Sequence, residues 1–229
     1  MSSTLPRERL SRLVELAAET DLAARRALVD GLADLLLDWP AAYPTAMREP
    51  FEALLEKSLR DVEPGLRAAL ADRFIERADA PLHFLNLLVF DAATDTKSAI
   101  LMRNAHALGT PPAMVPVPGQ QVTLLAAARA CSGDMLPGII ASRFGIAPEI
   151  ATQVLADESG WMLAALCKGA KLARATFSAL AILAHPKAST DQSYRRLSTY
   201  DGIPQEGAAA LLAFWRKHIV QPQIAAEAA

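Results

Sequence analysis

The stretch Asp21–Trp39, DLAARRALVDGLADLLLDW, decides the fold that this sequence predicts. Its apolar residues recur at helical spacing, so that Leu28, Leu32 and Leu36 fall on one face of a helix. A polar stripe follows the same helix at steps of four residues and consists of Arg26, Asp30, Asp34 and Asp38. The stretch therefore predicts a long amphipathic helix that buries its leucines and keeps its arginines and aspartates in water.

Part of this helix returns later in the chain. The pattern Arg-x-Ala-Leu-x-Asp-x-Leu over residues 25–32 is echoed by Arg-x-Ala-Leu-x-Asp-x-Phe over residues 67–74, an offset of 42 residues. That offset lies inside the roughly 40–47-residue period of HEAT and armadillo arrays, whose units bury their apolar faces by stacking on neighbours. The alternative is two unrelated helices of similar composition, because patterns built from these residue types also match by chance.

Composition favours helix along the whole chain. Hydrophobic residues make up 52% of the 229 residues, and alanine and leucine dominate while β-branched residues are sparse. A chain of this length forms one large domain or two small ones. We therefore predict an all-α fold, specifically a HEAT-like helical repeat array of the α-solenoid type with about 12–13 helices in two halves.

Proline punctuation divides the predicted helices into two groups. Gly109–Gly119, GTPPAMVPVPG, holds four prolines in eleven residues, so neither a helix nor a central strand fits there. We expect an N-terminal helical repeat half (1–108), a Pro-rich linker (109–119), a C-terminal helical half (120–220) and a frayed tail (221–229). The stretch Pro81–Phe90 is apolar on nearly every side, which predicts a buried helix at the centre of the N-terminal half.

Two passages resemble a known protein family. The first is the D-x-x-x-R-x-A-L pattern of residues 21–28. The second is LADESG at residues 155–160, followed by an apolar helix, then LARATF at residues 172–177 and another apolar helix. The arrangement resembles the mainly alphaproteobacterial family called domain of unknown function 2336, whose members look like HEAT-type helical arrays. The resemblance implies a bacterial protein with this architecture over most of its length, and it implies no catalytic residue.

No sequence motif indicates an enzyme. The chain lacks a G-x-S-x-G elbow, a G-x-x-x-x-G-K-[ST] phosphate loop, a G-x-G-x-x-G turn and an H-E-x-x-H helix. The four histidines stand far apart in sequence, and Cys131 and Cys167 form no CxxC pair, which is typical of small buried hydrophobes. We expect no catalytic residue, no cofactor and no metal ion. Scattered carboxylates can still converge in a fold, so an enzyme stays an open alternative.

A run of basic residues in the C-terminal half suggests an interaction surface. Residues 159–190 contain four lysines or arginines and no acidic residue. Tryptophan and arginine are enriched at the hot spots of protein–protein interfaces. The candidate interaction surface consists of Trp161, Lys168, Lys171, Arg174, Arg195, Arg196, Trp215 and Arg216. The alternative is that these charges only solubilise an alanine-rich helical face.

The predicted function is a non-enzymatic scaffold or adaptor that binds a protein partner along the array. The alternative is a nucleic-acid-associated HEAT-like protein that uses the basic C-terminal surface. Residues 109–229 carry a net charge of only +2, so nucleic acid is not the expected partner.

Two further expectations concern self-association and location. A homodimer is a further possibility if the last helix exposes Leu211, Leu212, Phe214 and Trp215. The N-terminus lacks the apolar core of a signal peptide, and no uncharged apolar run reaches 18 residues. This pattern predicts a cytoplasmic protein that does not enter a membrane.

Overall fold

The computed structural model describes residues 6–41, 43–108, 120–130 and 135–217. Over these residues the chain forms thirteen α-helices, a few short 3₁₀ turns and no strand, which confirms the predicted all-α class. None of the described helices is long and apolar enough to cross a membrane. The predicted linker (109–119) and the predicted tail (221–229) lie outside the described residues.

The first six helices are α1 (Pro6–Ala18), α2 (Leu22–Leu37), α3 (Arg48–Ser58), α4 (Pro64–Ile75), α5 (Leu82–Leu88) and α6 (Thr94–Leu108). The next three are α7 (Gln120–Ala130), α8 (Leu136–Phe144) and α9 (Pro148–Ala156). The last four are α10 (Trp161–Gly169), α11 (Arg174–Ala184), α12 (Thr190–Thr199) and α13 (Gln205–Lys217).

Local sequence signals set several of the helix ends. The carboxylate of Asp21 accepts a hydrogen bond from the backbone N–H of Ala24 at 2.6 Å and so caps the start of α2. Pro64 and Pro148 are the first residues of α4 and α9. The N–H groups of the first helical turn have no acceptor within the helix, so a proline there costs no hydrogen bond. Gly145 ends α8 in the left-handed conformation, with φ of 64°, which an L side chain would disfavour.

The helices group into two compact units, which we call unit 1 (residues 1–97) and unit 2 (residues 98–229). The boundary between them lies inside α6 and therefore precedes the predicted linker. The proline pattern marks where α6 ends, but residues of α6 beyond the boundary already pack within unit 2. The backbone of Leu101, for example, lies directly against Gly207 of α13.

The core of unit 1 lies between α2, α4 and α5. Leu32 of α2, Phe74 of α4 and Phe84 of α5 are completely buried. The rings of Phe74 and Phe84 lie 5.6 Å apart at a tilt of 46°, a favourable aromatic arrangement. In the stretch Pro81–Phe90, five residues are buried, as the sequence predicts for a central helix.

Ion pairs join the polar stripe of α2 to α4. In chain order they are Arg26 with Glu63 (3.1 Å), Asp30 with Arg73 (3.2 Å), Asp34 with Arg73, and Asp38 with Arg77 (2.9 Å). The partners follow the same order along both helices, so α2 and α4 run parallel. These side chains remain more than a third exposed, and each pair therefore contributes less than about 1 kcal/mol. The polar stripe is therefore partly exposed to solvent, as expected, and it also forms part of a helix–helix contact.

Helix α10 forms the centre of unit 2, with seven consecutive buried residues from Trp161 to Cys167. Helix α13 lies very close to α10 at Gly169. A Cβ added to this glycine would lie 2.4 Å from the carbonyl oxygen of Ala208, so only glycine allows this packing. The apolar residues Leu211, Leu212 and Trp215 of α13 are at most 1% exposed. They therefore do not form the exposed dimer face that the sequence suggested, since the last helix is part of the core.

Candidate interaction surface

The eight residues of the predicted interaction surface all lie in unit 2, but three of them are buried. Trp161, Arg196 and Trp215 are 3%, 7% and 1% exposed. The two tryptophans belong to the core helices α10 and α13, where large aromatic rings remove the most apolar area from water. These three residues are not surface residues of the folded unit, and no partner reaches them without a rearrangement.

The LADESG passage forms a turn that caps α10. The carboxylate of Asp157 accepts hydrogen bonds from the hydroxyl of Ser159 at 2.8 Å and from the backbone N–H of Met162 at 2.8 Å. The hydroxyl oxygen of Ser159 in turn accepts from the backbone N–H of Trp161 at 3.2 Å. Two of the unpaired N–H groups at the start of α10 are thereby satisfied. The passage that carries the family resemblance is thus a structural cap.

Arg196 of α12 is anchored on this turn. Its Nε donates a hydrogen bond to the backbone carbonyl of Glu158 at 2.5 Å. The aliphatic part of its side chain lies on Gly160, where an added Cβ would meet the Cβ and Cγ of Arg196 at 3.1 Å. Gly160 also has φ of 73°, so both the backbone conformation and the close contact require glycine.

His185, the residue that follows α11, reaches the same turn. The residues of that turn act on the pKa of its ring. Burial lowers the pKa of His185 below its ordinary value of 6.5, and the charge of Arg196 lowers it further. The acidic side chains of Glu158 and Asp157 act in the opposite direction but do not reverse the shift. The imidazole is therefore mainly neutral at pH 7.

Lys168 forms a hydrogen bond at the C-terminal end of α12. Its Nζ donates a hydrogen bond to the backbone carbonyl of Tyr200 at 3.0 Å and lies 4.6 Å from the centre of the Tyr200 ring. The hydroxyl of Tyr200 donates to the carbonyl of Leu172 at 2.5 Å, and its ring stacks on Phe177. Burial, with smaller contributions from Cys167 and Asp201, raises the pKa of Tyr200. This cluster joins α10, α11 and the end of α12.

Arg216 and Arg174 also have partners within unit 2. The Nε of Arg216 donates to the backbone carbonyl of Phe144, the last residue of α8, at 2.7 Å, and burial lowers the pKa of this guanidinium. Arg174 forms a 3.0 Å ion pair with Asp201, and both side chains are more than half exposed. The Arg174 pair is therefore weak and can exchange for an external partner, whereas Arg216 holds two helices together.

The accessible part of the predicted surface is reduced to Lys171, Arg174 and Arg195. Arg195 is exposed on α12 beside Tyr194, whose side chain is 71% exposed. Lys171 adopts the left-handed conformation, with φ of 56°, in the turn between α10 and α11. The other basic residues of the predicted surface bond backbone carbonyls at or beside helix ends, and residue type alone does not reveal this role.

An open apolar groove of about 620 Å³ separates α7 from α8 in unit 2. It is lined by Leu124, Ala127, Met135, Gly138, Ile139, Ser142 and Arg143. Met135 is 62% exposed at its edge. Periodicity within one helix does not predict a groove between two helices, so the sequence analysis did not identify it.

Neither metal chemistry nor similarity identifies a function. Within the described ranges, no group of three or more His, Cys, Asp or Glu side chains is arranged to hold a metal ion. Cys167 is completely buried, and burial raises the pKa of its thiol far above the usual range, so this cysteine is unreactive. Comparisons of the chain with protein-family models, with curated proteins and with solved structures found no match.

Proposed function

We propose that this protein is a non-enzymatic helical-repeat scaffold of HEAT-like architecture that binds a protein partner. The observation that carries the proposal is the parallel stacking of α2 on α4. In solenoid arrays, each unit contacts its neighbours, and equivalent helices of successive units lie side by side. The side chains that bond across α2 and α4 are 37 to 43 residues apart in the chain, close to the 42-residue offset of the repeated pattern.

The repeated positions have equivalent environments in the two helices, which supports the proposal. Leu28 and Leu70 are at most 5% exposed, and so are Leu32 and Phe74. The pattern therefore marks the same inward face in α2 and in α4. Chance similarity of composition explains two amphipathic helices, but it does not explain why the two copies are also parallel neighbours.

The exposed residues of unit 2 suggest the chemistry of the partner. Arg174 and Arg195 are exposed and positively charged, Lys171 is half-buried, and Tyr194 offers an exposed aromatic ring next to Arg195. Tyrosine and arginine are the residues that most often anchor protein–protein contacts, and basic groups favour an acidic partner. We propose a protein with an acidic segment as the partner of this surface.

The test uses affinity capture with the full chain as bait, followed by mass spectrometry and titration with the purified captured protein. We expect wild type to retain a specific partner and the double variant Tyr194→Ala/Arg195→Ala to bind it at least about tenfold more weakly, which corresponds to 1.4 kcal/mol. Arg12→Ala in unit 1 is the matched control, because Arg12 is equally a solvent-exposed arginine on a helix. Capture of chaperones alone, or binding that the double variant leaves unchanged, would refute the assignment.

The alternative of a nucleic-acid-associated protein has less support. Arg196, Arg216 and Lys168 donate to backbone carbonyls. Few basic groups thus remain to contact phosphates, and binding to a polyanion depends on such contacts. We expect no mobility shift of a DNA duplex with micromolar protein at about 50 mM salt, and a salt-sensitive shift would instead favour this alternative.

A further inference from the structure

The open groove between α7 and α8 has an apolar base and an exposed apolar edge. Leu124 of α7 is 3% exposed and lies at its base. Met135, directly before α8, is 62% exposed at its edge, and Ile139 lies one turn further along the same side of α8. Ala127 and Gly138 contribute little side-chain bulk. An apolar surface of this kind leaves water only when another apolar group covers it.

The groove has the dimensions of a short peptide segment. From Met135 to Arg143 it follows α8 for about 12 Å, at about 1.5 Å per residue. An extended chain covers that distance with about four residues, at about 3.3 Å each. Gly138 lies near the middle of this stretch, and a Cβ added there would meet no atom within 4 Å. The groove therefore has room for a second stretch of chain alongside α8.

The described part of the chain ends close to this groove. Its last helix, α13, ends at Lys217, and the Nε of the neighbouring Arg216 donates to the carbonyl of Phe144 at 2.7 Å. Phe144 directly follows Arg143, which lines one end of the groove. The segment after Lys217 therefore starts near that end.

This segment carries apolar side chains that match the groove. Residues 218–229 read HIVQPQIAAEAA, with Ile219 and Val220 near the start and Ile224 farther on. The seven residues after α13 span up to about 23 Å when extended, at about 3.3 Å each, so Ile224 can reach the Met135 end. Branched aliphatic side chains are stabilised when an apolar groove removes them from water.

We propose that residues 218–224 of this chain dock in the groove between α7 and α8, with Ile224 towards Met135. The short connection to α13 favours this occupant, because a tethered segment is present at an effective concentration in the millimolar range. Modest apolar contacts then suffice to keep the groove occupied, and an external apolar segment must first displace residues 218–224. Neither Tyr194 nor Arg195 lines the groove, so the proposal does not depend on the acidic partner proposed for α12.

Oxidative footprinting of methionine side chains in the full chain tests the docking. Wild type is compared with the full-length double variant Ile219→Asp/Ile224→Asp, whose carboxylates are too costly to bury in an apolar groove. We expect Met135 to be oxidised severalfold more slowly in wild type. Met47 and Met102 are 45% and 48% exposed and do not line the groove, so they should react equally in both proteins. Equal oxidation of Met135 in the two proteins would overturn the proposal.

The concentration dependence identifies which copy of the chain supplies the segment. Docking within one chain predicts the same slow oxidation of Met135 at low and at high protein concentration, because the segment is tethered to its own groove. Slow oxidation that appears only at high concentration would place the segment of a second copy in the groove. That result would overturn docking within one chain.

Calorimetric titration with a free peptide of residues 218–229 tests the groove directly. We expect the peptide, at up to millimolar concentration, to bind Ile219→Asp/Ile224→Asp and to bind wild type at least about tenfold more weakly, because the tethered segment competes. Gly138→Leu, added to the double variant, should fill the groove and abolish binding. Gly65→Leu in α4 is the matched control, since a Cβ there also meets nothing within 4 Å. A peptide that does not bind the double variant, or that binds it equally after Gly138→Leu, would refute the proposal.

Discussion

Substitution of Gly207 by alanine tests the closest helix contact in unit 2. Gly207 is the third residue of α13, and a Cβ at this position would lie 2.1 Å from the carbonyl oxygen of Leu101 in α6. It would also lie 2.8 Å from the carbonyl carbon of the same residue. The obstacle is backbone inside a helix, so it cannot rotate away as the end of a flexible side chain would.

The expected change in the free energy of unfolding is the difference between two opposed effects. Alanine is intrinsically better than glycine in a helix by about 1 kcal/mol, and the gain is smaller in the first turn. To restore an ordinary contact, α13 and α6 must separate by about 1 Å, and overpacking of this kind typically costs about 1–3 kcal/mol or more. We expect Gly207→Ala to lose about 2 kcal/mol in the free energy of unfolding, which lowers Tm by about 4–8 °C in a chain of this size.

Gly138→Ala provides a control at the same place in another helix. Gly138 is the third residue of α8, and an added Cβ there meets nothing within 4 Å. Alanine should therefore be neutral or stabilising by up to about 1 kcal/mol. Urea unfolding followed by circular dichroism, with calorimetry for Tm, compares both variants with wild type. If Gly207→Ala is as stable as Gly138→Ala, the close approach of α13 to α6 is absent in solution.

Four further substitutions separate strong from weak contributions. Phe74→Ala should lose about 3–5 kcal/mol in urea unfolding because the ring is fully buried, whereas Arg73→Ala should lose less than about 1 kcal/mol because its ion pairs are partly exposed. Asp157→Ala should lose about 1 kcal/mol through the missing cap of α10, and a loss below a few tenths of a kcal/mol would contradict the assigned hydrogen bonds. Since the pKa of Tyr200 is raised above 10.0, the unfolded chain loses this proton first, so stability should fall as the pH rises above about 10; Tyr200→Phe should reduce that slope.

Much of the secondary structure was predictable because the chain marks its helix ends with local chemistry. Pro64 and Pro148 begin helices, Gly145 ends one, and Ser189 with Gln192 forms a capping box at the start of α12. These signals act over a few residues and therefore survive folding unchanged. The division into units was less predictable because it depends on packing between distant segments, and α6 continues through the boundary without any break in its sequence pattern.

The interaction surface was harder to predict because side-chain type does not reveal direction. Trp161 begins α10 and Trp215 lies near the end of α13, and both stretches read as helical in sequence. Only the assembled unit shows that both rings face inward. Tyr194, by contrast, is an aromatic residue that remains exposed to solvent. A single sequence does not separate these cases, because Tyr194 and Trp215 each stand directly before two basic residues and yet only Trp215 is buried.

The basic residues have a common structural role that composition conceals. Short helices create many ends, and each end leaves backbone carbonyls without a helical donor. Long cationic side chains serve as those donors at Leu36, Leu37, Phe144 and Tyr200, which bond Arg48, Arg77, Arg216 and Lys168 respectively. Arg196 likewise bonds the carbonyl of Glu158, in the turn between α9 and α10. A positive charge is also favourable at the negative end of a helix dipole. In an all-α chain with many short helices, arginines and lysines whose side chains reach a neighbouring helix end are therefore occupied within the fold, and the residues that can recognise a partner are exposed ones such as Arg195.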